Sequence, residues 1–395
     1  METILHIYHP KRNLLLLEYA NKSTNFDPST GTGTGIQEPS NVLLFVGGLY
    51  DNFRSPAYIE DVAALFPRDF ENQKWRVMHV QMSSSGRTFG LYDLDRDVDE
   101  ISTAITYIRS SITHSPDTPV VLMGHSTGCQ DLIHYLSTST SSPSPSRPRI
   151  SGAIFQAPVS DREAIMDGVH SDPATRQSYE ACLAIATSTP TQHHATTILP
   201  IHVSKLCLGS APLSIARFLS LASPGSPDSP GMDDYYSSDL SDARLSDTFG
   251  RIGSSRGTAK TVMFLPSGSD EHVPMSIDKE FLLSRWKRAV EADGAASVSQ
   301  YSRVIRNALH DISGSSIEAR TARLVDMRGS VLRYLDEVVG DILGDAEQRG
   351  QGEEIGKGGA DGAATRHQTD SSPWAIYERD RRAIELERGV SGVRL

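Results

Sequence analysis

No stretch of this 395-residue chain approaches the run of about eighteen apolar residues that a membrane-spanning helix needs. The N-terminal METILHIYHPKRNLLLLEYA contains only a four-leucine run, too short for the core of a secretion signal. Cysteine is scarce. Cys129, Cys182 and Cys207 form no C-x-x-C pair, so neither a disulfide framework nor a structural zinc site is expected. Positive charge is in deficit as well: a formal net charge of -11 argues against general affinity for nucleic acid or an anionic membrane, and suits a cationic or neutral ligand. Together these absences predict a cytoplasmic protein with no nucleic-acid or membrane partner.

What is present is the composition of a soluble globular protein, 38% apolar and 22% charged, long enough to bury a full core. Short apolar runs alternate with helical patterns, which predicts a mostly parallel sheet covered by helices on both faces. Strands are expected over residues 14–19, 42–46, 76–80, 120–123, 150–155, 261–265 and 298–305. Helices are expected over about 56–65, 94–112, 128–137, 276–292 and 317–343. In DLDRDVDEISTAITYIRSSI, for example, Val98, Ile101, Ile105 and Ile108 recur at the spacings of one buried helix face.

Three segments interrupt the alternation. Residues 137–149, STSTSSPSPSRPR, hold too few apolar side chains to bury and predict a solvated loop. Residues 161–259 separate two core strands and are expected to form a cap over the site, helical in their first half and mobile through SPGSPDSPGMDDYYSSDLSD. Residues 344–371 are Gly-rich and polar, as a disordered linker would be, and 372–395 predict a last helix with Ser372 as N-cap and Pro373 at its first position. The core is then residues 1–160 and 260–343.

The chemistry-bearing stretch is VVLMGHSTGCQDLIHYL, residues 120–136. By composition alone, G-x-S-x-G arises by chance in about one chain in eight of this length, so the five letters decide nothing. Their context does. VVLM predicts a strand and CQDLIHYL a helix, so Ser126 falls on a sharp turn where Gly124 and Gly128 spare the neighbouring backbone a side chain. A serine hydroxyl attacks only if a histidine takes its proton, and that histidine needs a carboxylate to fix its tautomer. TVMFLPSGSDEHVP supplies Asp270 after a strand, and VIRNALHDISG supplies His310 before the last long helix. Asp161 and Glu271 are alternative acids, and His272 an alternative base. His193 and His194 have no carboxylate or cysteine at ligand spacing, so no metal site is expected. Oxyanion donors are expected at the N–H of Thr127 and, after the Gly47–Gly48 turn in NVLLFVGGLYDNFRSP, at the N–H of Leu49.

These stretches carry a resemblance. FVGGLYD, SSSGRTFG with LDRDVDEI, GHSTGCQD and SDEHVP together resemble a fungal and protist group of α/β-hydrolases that includes intracellular siderophore esterases acting on fusarinine-type compounds. The likeness covers about residues 7–343, apart from the Ser/Pro loop and part of the cap. It implies an α/β-hydrolase fold with Ser126, Asp270 and His310 catalytic and Leu49 and Thr127 holding the oxyanion. The implied reaction is hydrolysis of the ester links between hydroxamate units of fusarinine C or its triacetyl form. No cofactor is implied; iron arrives with the substrate. Alternatives are a general carboxylesterase or thioesterase on a small acyl substrate, and a non-catalytic binding protein on the same fold.

Substrate contacts are expected from Gly48 and from the loop QMSSSGRTFGLYDLD, through Ser84, Arg87 and Tyr92. A further expectation concerns charge. Asp228, Asp233, Asp234, Asp239, Asp242 and Asp247 stand against Arg244 alone between residues 221 and 250. Such an edge would draw in fusarinine C, which has free amino groups, over its acetylated form.

Overall fold

The structure, a computed structural model, describes residues 2–20, 41–66, 75–138, 147–253, 259–313 and 317–350, with 374, 377–379 and 381–382. Eight strands form its main sheet: β1 (Glu2–His9), β2 (Leu14–Ala20), β3 (Asn41–Val46), β4 (Trp75–Val80), β5 (Val120–His125), β6 (Gly152–Gln156), β9 (Thr261–Leu265) and β10 (Ser297–Val298). Their order is β1-β2-β4-β3-β5-β6-β9-β10. The first two pairings, β1 with β2 and β2 with β4, are antiparallel and all others parallel. Every residue of β3, β4, β5, β6 and β9 is buried, which is why these strands read as mainly apolar runs, Arg76 and His79 of β4 being the interior exceptions.

One face of the sheet carries α2 (Leu94–Tyr107), α3 (Gly128–Ser137) and α9 (Lys279–Glu291), whose Val98, Ile101, Ile133, Leu136 and Trp286 share a core with Leu44, Leu122 and Phe264. The other face carries α1 (Tyr58–Ala63) and α10 (Ile317–Gly350), with Ile59, Val62, Met327, Val331 and Leu335 against Phe45, Met123 and Met263.

Several expectations are corrected. Strand β1 was not anticipated: it is an edge strand with Leu5 and Ile7 more than half exposed, so its pattern is weak. The strand expected over 298–305 is only Ser297–Val298 plus a single bridge from Ile305 to Ser267. Its polar residues take sheet positions with side chains, as when Ser302 Oγ accepts the Phe264 N–H at 3.0 Å. Helix α10 continues to Gly350, seven residues into the expected linker, and the rest of that linker lies outside the described residues. Ser372 and Pro373 also lie outside them; Trp374 and Tyr377 are helical and lie on α10, with Trp374 Nε1 donating to Asp336 Oδ2 at 2.6 Å.

The largest correction concerns residues 161–259. Helices α4 (Asp161–Ser171), α5 (Pro173–Ser188), α6 (Ile201–Leu208) and α7 (Ile215–Ala222), with the ribbon β7 (Ile198–Leu199) and β8 (Leu213–Ser214), share an apolar cluster of their own. This is the cap. The following segment is instead part of the main core: Tyr235, Tyr236, Leu240, Phe249 and, on α8 (Asp242–Thr248), Leu245 lie in the cluster of α3 and α9. Tyr236 meets Trp286 edge-on at 5.2 Å, and Phe249 stacks on the same indole. Serines and prolines disguised a stretch whose aromatic residues are buried.

Tyr334 joins the back helix to two strands at once: its hydroxyl accepts the Ala153 N–H at 2.9 Å and donates to the Thr261 carbonyl oxygen at 2.6 Å. Tyr334→Phe leaves two buried main-chain groups unpaired and is expected to cost about 1 to 3 kcal/mol in urea unfolding. An unchanged midpoint and slope would show the bridge contributes nothing.

Candidate active site

Strand β5 ends at His125 and α3 begins at Gly128, leaving Ser126 on the turn between them with φ of +55°. A non-glycine residue holds that left-handed conformation only where its surroundings impose it. Here they do. A Cβ on Gly128 would lie 2.4 Å from the Val46 carbonyl oxygen, and the Ser126 N–H is tied to the Gln156 carbonyl oxygen at 3.1 Å. The loop after β3 then closes on the serine: a Cβ on Gly48 would come within 2.6 Å of Ser126 Cβ. The Gly48 N–H is taken by Asp51 Oδ2 at 2.8 Å. The N–H groups of Leu49 and Thr127 have no hydrogen-bond partner among the described residues, so two donors beside the hydroxyl stay available.

Asp270 and His310 meet from the loops following β9 and β10, with His310 Nδ1–H donating to Asp270 Oδ2 at 2.8 Å. Both side chains are buried. The other carboxylate oxygen, Oδ1, accepts the His272 N–H at 3.0 Å. Of the alternatives, Glu271 holds the main chain of His310, accepting its N–H at 2.9 Å, and Asp161 accepts from Gln130 Nε2 at 2.9 Å. Neither carboxylate touches the imidazole. The His272 ring stands edge-on to His310 at 4.7 Å. Among the described residues His310 Nε2 and Ser126 Oγ have no hydrogen-bond partner, and no hydrogen bond joins them to each other in this conformation, although both residues line one cavity of about 560 Å³. Catalytic hydrogen bonds often tighten only when substrate arrives.

Burial alone would lower the His310 pKa, but the hydrogen bond and charge of Asp270, with Glu271 and Asp51 behind it, raise it above the ordinary 6.5. His125 moves the opposite way, to about 4, through burial first and the neighbouring His310 second. The two rings are 4.8 Å apart.

A residue the sequence reading missed organises this region. Gln156, at the end of β6, accepts at Oε1 from Tyr58 Oη–H at 2.8 Å and His125 Nδ1–H at 2.5 Å. Its Nε2 donates towards Ser267 Oγ at 3.4 Å and the His310 carbonyl oxygen at 3.5 Å. The only signal was a carboxamide closing the otherwise apolar ISGAIFQ.

The expected substrate contacts fare unevenly. Gly48 does abut the serine. Ser84, Arg87 and Tyr92 do not line the cavity. Ser84 is buried and donates to Asp97 Oδ1 at 2.6 Å, Tyr92 lies beneath the Arg96 guanidinium at 4.8 Å, and Arg87 is exposed. Their loop turns back onto α2, where Glu100 holds Ser83. The acidic stretch expected to edge the cap is also not free: Asp233 is paired with Arg217 at 2.6 Å, Asp234 with Arg162 at 3.4 Å, Asp242 with Arg285 at 2.7 Å, and Asp239 with Arg162. The arginines that pair with it, Arg162, Arg217 and Arg285, lie outside residues 221–250. None of those aspartates lines the cavity, whose wall instead carries Asp51, Asp161, Glu271 and Asp311 and no lysine or arginine.

Behind Leu49 and Thr127 lies a second void of about 20 Å³, bordered by Ser84, Asp97, Asp131 and Arg217. Thus LDRDVDEI and GHSTGCQD meet at Asp97 and Asp131. Burial pushes the Asp97 carboxyl up to about 7, and that of Asp131 well above its usual range. Among the described residues, no group of three or more His, Cys, Asp or Glu side chains is placed to hold a metal ion. No helix among them is long and apolar enough to cross a membrane.

A sheet of this order, a left-handed serine between strand and helix, and an Asp–His pair on the later loops define an α/β-hydrolase. More narrowly, the chain belongs to the family described as Protein of unknown function (DUF1749), whose model matches residues 6–334. Fusarinine C esterase sidJ of Aspergillus fumigatus is 37% identical over 360 residues, covering 84% of this chain and 98% of that protein. Esterase AN6793 of Emericella nidulans is 35% identical over 366 residues, covering 84% of this chain and 93% of its own length. The solved siderophore hydrolase EstB from Aspergillus fumigatus has a TM-score of 0.71 at 36% identity, covering 86% of this chain and 98% of that one. The resemblance read from the sequence is borne out.

The buried acid behind the loop makes a pH prediction. Asp97 keeps its proton to about pH 7 when folded, against an ordinary 3.8 when unfolded. The folded state therefore binds more protons between those values, and its stability falls as pH rises through that window. Asp97→Asn removes the dependence, so the stability difference between about pH 5 and about pH 8 should narrow in urea titrations. Equal differences in both proteins would mean that the carboxyl is ionised throughout.

Proposed function

We propose that this protein is a serine esterase that cleaves the ester bonds of a hydroxamate siderophore of the fusarinine C type, releasing its iron inside the cell. The observation that carries the reading is the Asp270–His310 pair, whose imidazole shares one cavity with a serine on a strained turn, in a chain whose relatives are named for siderophore and fusarinine C hydrolysis.

In this reading His310 Nε2 takes the Ser126 proton as Oγ attacks the ester carbonyl carbon. Asp270 holds the Nδ1 proton and steadies the imidazolium. The N–H groups of Leu49 and Thr127 receive the oxyanion, each contributing about 3 to 4 kcal/mol. The alcohol half leaves with the proton from His310. Water activated by the same ring then releases the acyl group from Ser126.

The cavity volume lies within the span of small-molecule sites. Iron travels as part of the substrate, and no cofactor takes part. Asp51, Glu271 and Asp311 in the wall supply the attraction for an amine-bearing ester, whereas burial pushes the fourth wall carboxyl, Asp161, up to about 7 and Asp233, Asp234, Asp239 and Asp242 are paired with arginines. The cytoplasm is the proposed compartment, in keeping with three free cysteines.

Ser126→Ala is expected to lower hydrolysis of ferric fusarinine C by about 10,000-fold or more and to abolish labelling by a fluorophosphonate probe. An unchanged rate would remove Ser126 from the mechanism. Comparison with triacetylfusarinine C and short p-nitrophenyl esters separates the siderophore reading from a general carboxylesterase, which would favour the small esters.

The pH profile offers a second test. Only the neutral imidazole can accept a proton, so kcat/KM should fall as pH drops through the raised pKa of His310, giving an acid limb centred above 6.5. Asp270→Asn should move that limb to lower pH while cutting the rate by about 10,000-fold. A limb that stays put would assign the acid role elsewhere.

A further inference from the structure

Helices α5 and α6 lie side by side in the cap, and each presents two side chains four positions apart to the seam between them. Ser178 and Cys182 come from the first, Val203 and Cys207 from the second. The Ser178 hydroxyl donates to the Val203 carbonyl oxygen, and Ser178 Oγ lies 3.6 Å from Cys207 Sγ. Cys182, one turn further along α5 than Ser178, shares the buried apolar cluster with Cys207, and each thiol shifts the other's titration. Cys182 is sealed from solvent, whereas Cys207 is half-buried and forms part of the catalytic cavity wall.

This arrangement divides the labour of a dithiol. Contact with Cys182, helped by Ser178 and opposed by burial, lowers the Cys207 thiol from its ordinary range, and Cys207 is the thiol that faces the cavity, where a peroxide can reach it. The same contact raises Cys182, which is sealed behind it. Ester hydrolysis uses neither group. Cys129 provides the contrast: it is wholly buried beneath the elbow, with its thiol directed at the Gly124 and Gln156 carbonyl oxygens.

We propose that Cys207 and Cys182 form a peroxide-responsive dithiol in the cavity wall, closing to an intrachain disulfide that reversibly lowers esterase turnover. The Cys207 thiolate attacks one oxygen of a hydroperoxide: an S–O bond forms, the O–O bond breaks, and the departing oxygen leaves as hydroxide or alkoxide and takes up a proton. The Cys182 sulfur then attacks the sulfenic sulfur. The S–S bond forms, the S–O bond breaks, and the hydroxide leaves with the Cys182 proton as water. Two thiols are oxidised and one peroxide is reduced.

The effect on turnover rests on the esterase reading and has a visible route. Leu208, next to Cys207, accepts a hydrogen bond from Tyr50 Oη at 2.7 Å, and Tyr50 follows Leu49 in the oxyanion loop. Drawing Cys207 towards Cys182 pulls on that link.

The test treats the full-length protein with hydrogen peroxide, alkylates remaining thiols, and maps peptides by mass spectrometry without reduction. Turnover of a p-nitrophenyl ester is followed alongside. The expected result is a Cys182–Cys207 link with Cys129 still alkylatable, and turnover lowered about 10-fold and restored by dithiothreitol. Cys182→Ala, with basal turnover retained, should give no link and no dithiothreitol-reversible loss. Failure of the link to form in the wild-type protein overturns the dithiol; a link with unchanged turnover, or an equal reversible loss in Cys182→Ala, overturns the switch. Should the untreated protein lack esterase activity, the esterase reading fails while the peptide map still decides the dithiol.

Discussion

The structure depends on a close approach of backbones around one turn. The strand of Ser126, the helix that follows it and the loop carrying Gly48 converge so tightly that a single added carbon at Gly48 or Gly128 has nowhere to go. Holding a serine in the left-handed region costs on the order of 1 to 3 kcal/mol, which the surrounding buried strands offset. What is obtained is a hydroxyl lifted off the sheet, with two unclaimed N–H groups beside it.

That turn is braced by polar contacts rather than by apolar packing alone. Gln156 connects the elbow, through the His125 ring and its own main chain, to the loop of His310. The cap is tied in similarly. Arg217 on α7 pairs with Asp233 and donates to the Phe89 carbonyl oxygen, so cap, core segment and the loop after β4 meet at one buried guanidinium. A cover fixed in this way is part of the site's architecture, so a change at its cysteine pair is felt at the chemistry.

The legible parts of the molecule were those with a strong local signature. Mainly apolar runs gave five central strands, and glycines bracketing a serine between strand and helix gave the elbow. Asp270 and His310 were found because their loops follow core strands in the required order. Features set by distant partners were not legible. The aspartates of the cap edge looked free because Arg162, Arg217 and Arg285 lie far away in sequence. Ser84 looked like a ligand contact until its loop folded against Asp97. Tyr235, Tyr236 and Phe249 sit among serines and prolines that mask their burial, and Gln156 is one polar letter at the end of an apolar strand.

The neighbouring imidazoles of His125 and His310 face opposite fates although their rings nearly touch. One is steered towards holding a proton and the other away from it, partly by the first ring's own charge. A second basic nitrogen next to a nucleophile would ordinarily be a leak, an alternative resting place for the migrating hydrogen. Here His125 spends its Nδ1–H on Gln156 and resists a further proton, so it behaves as an insulator and leaves the relay a single track.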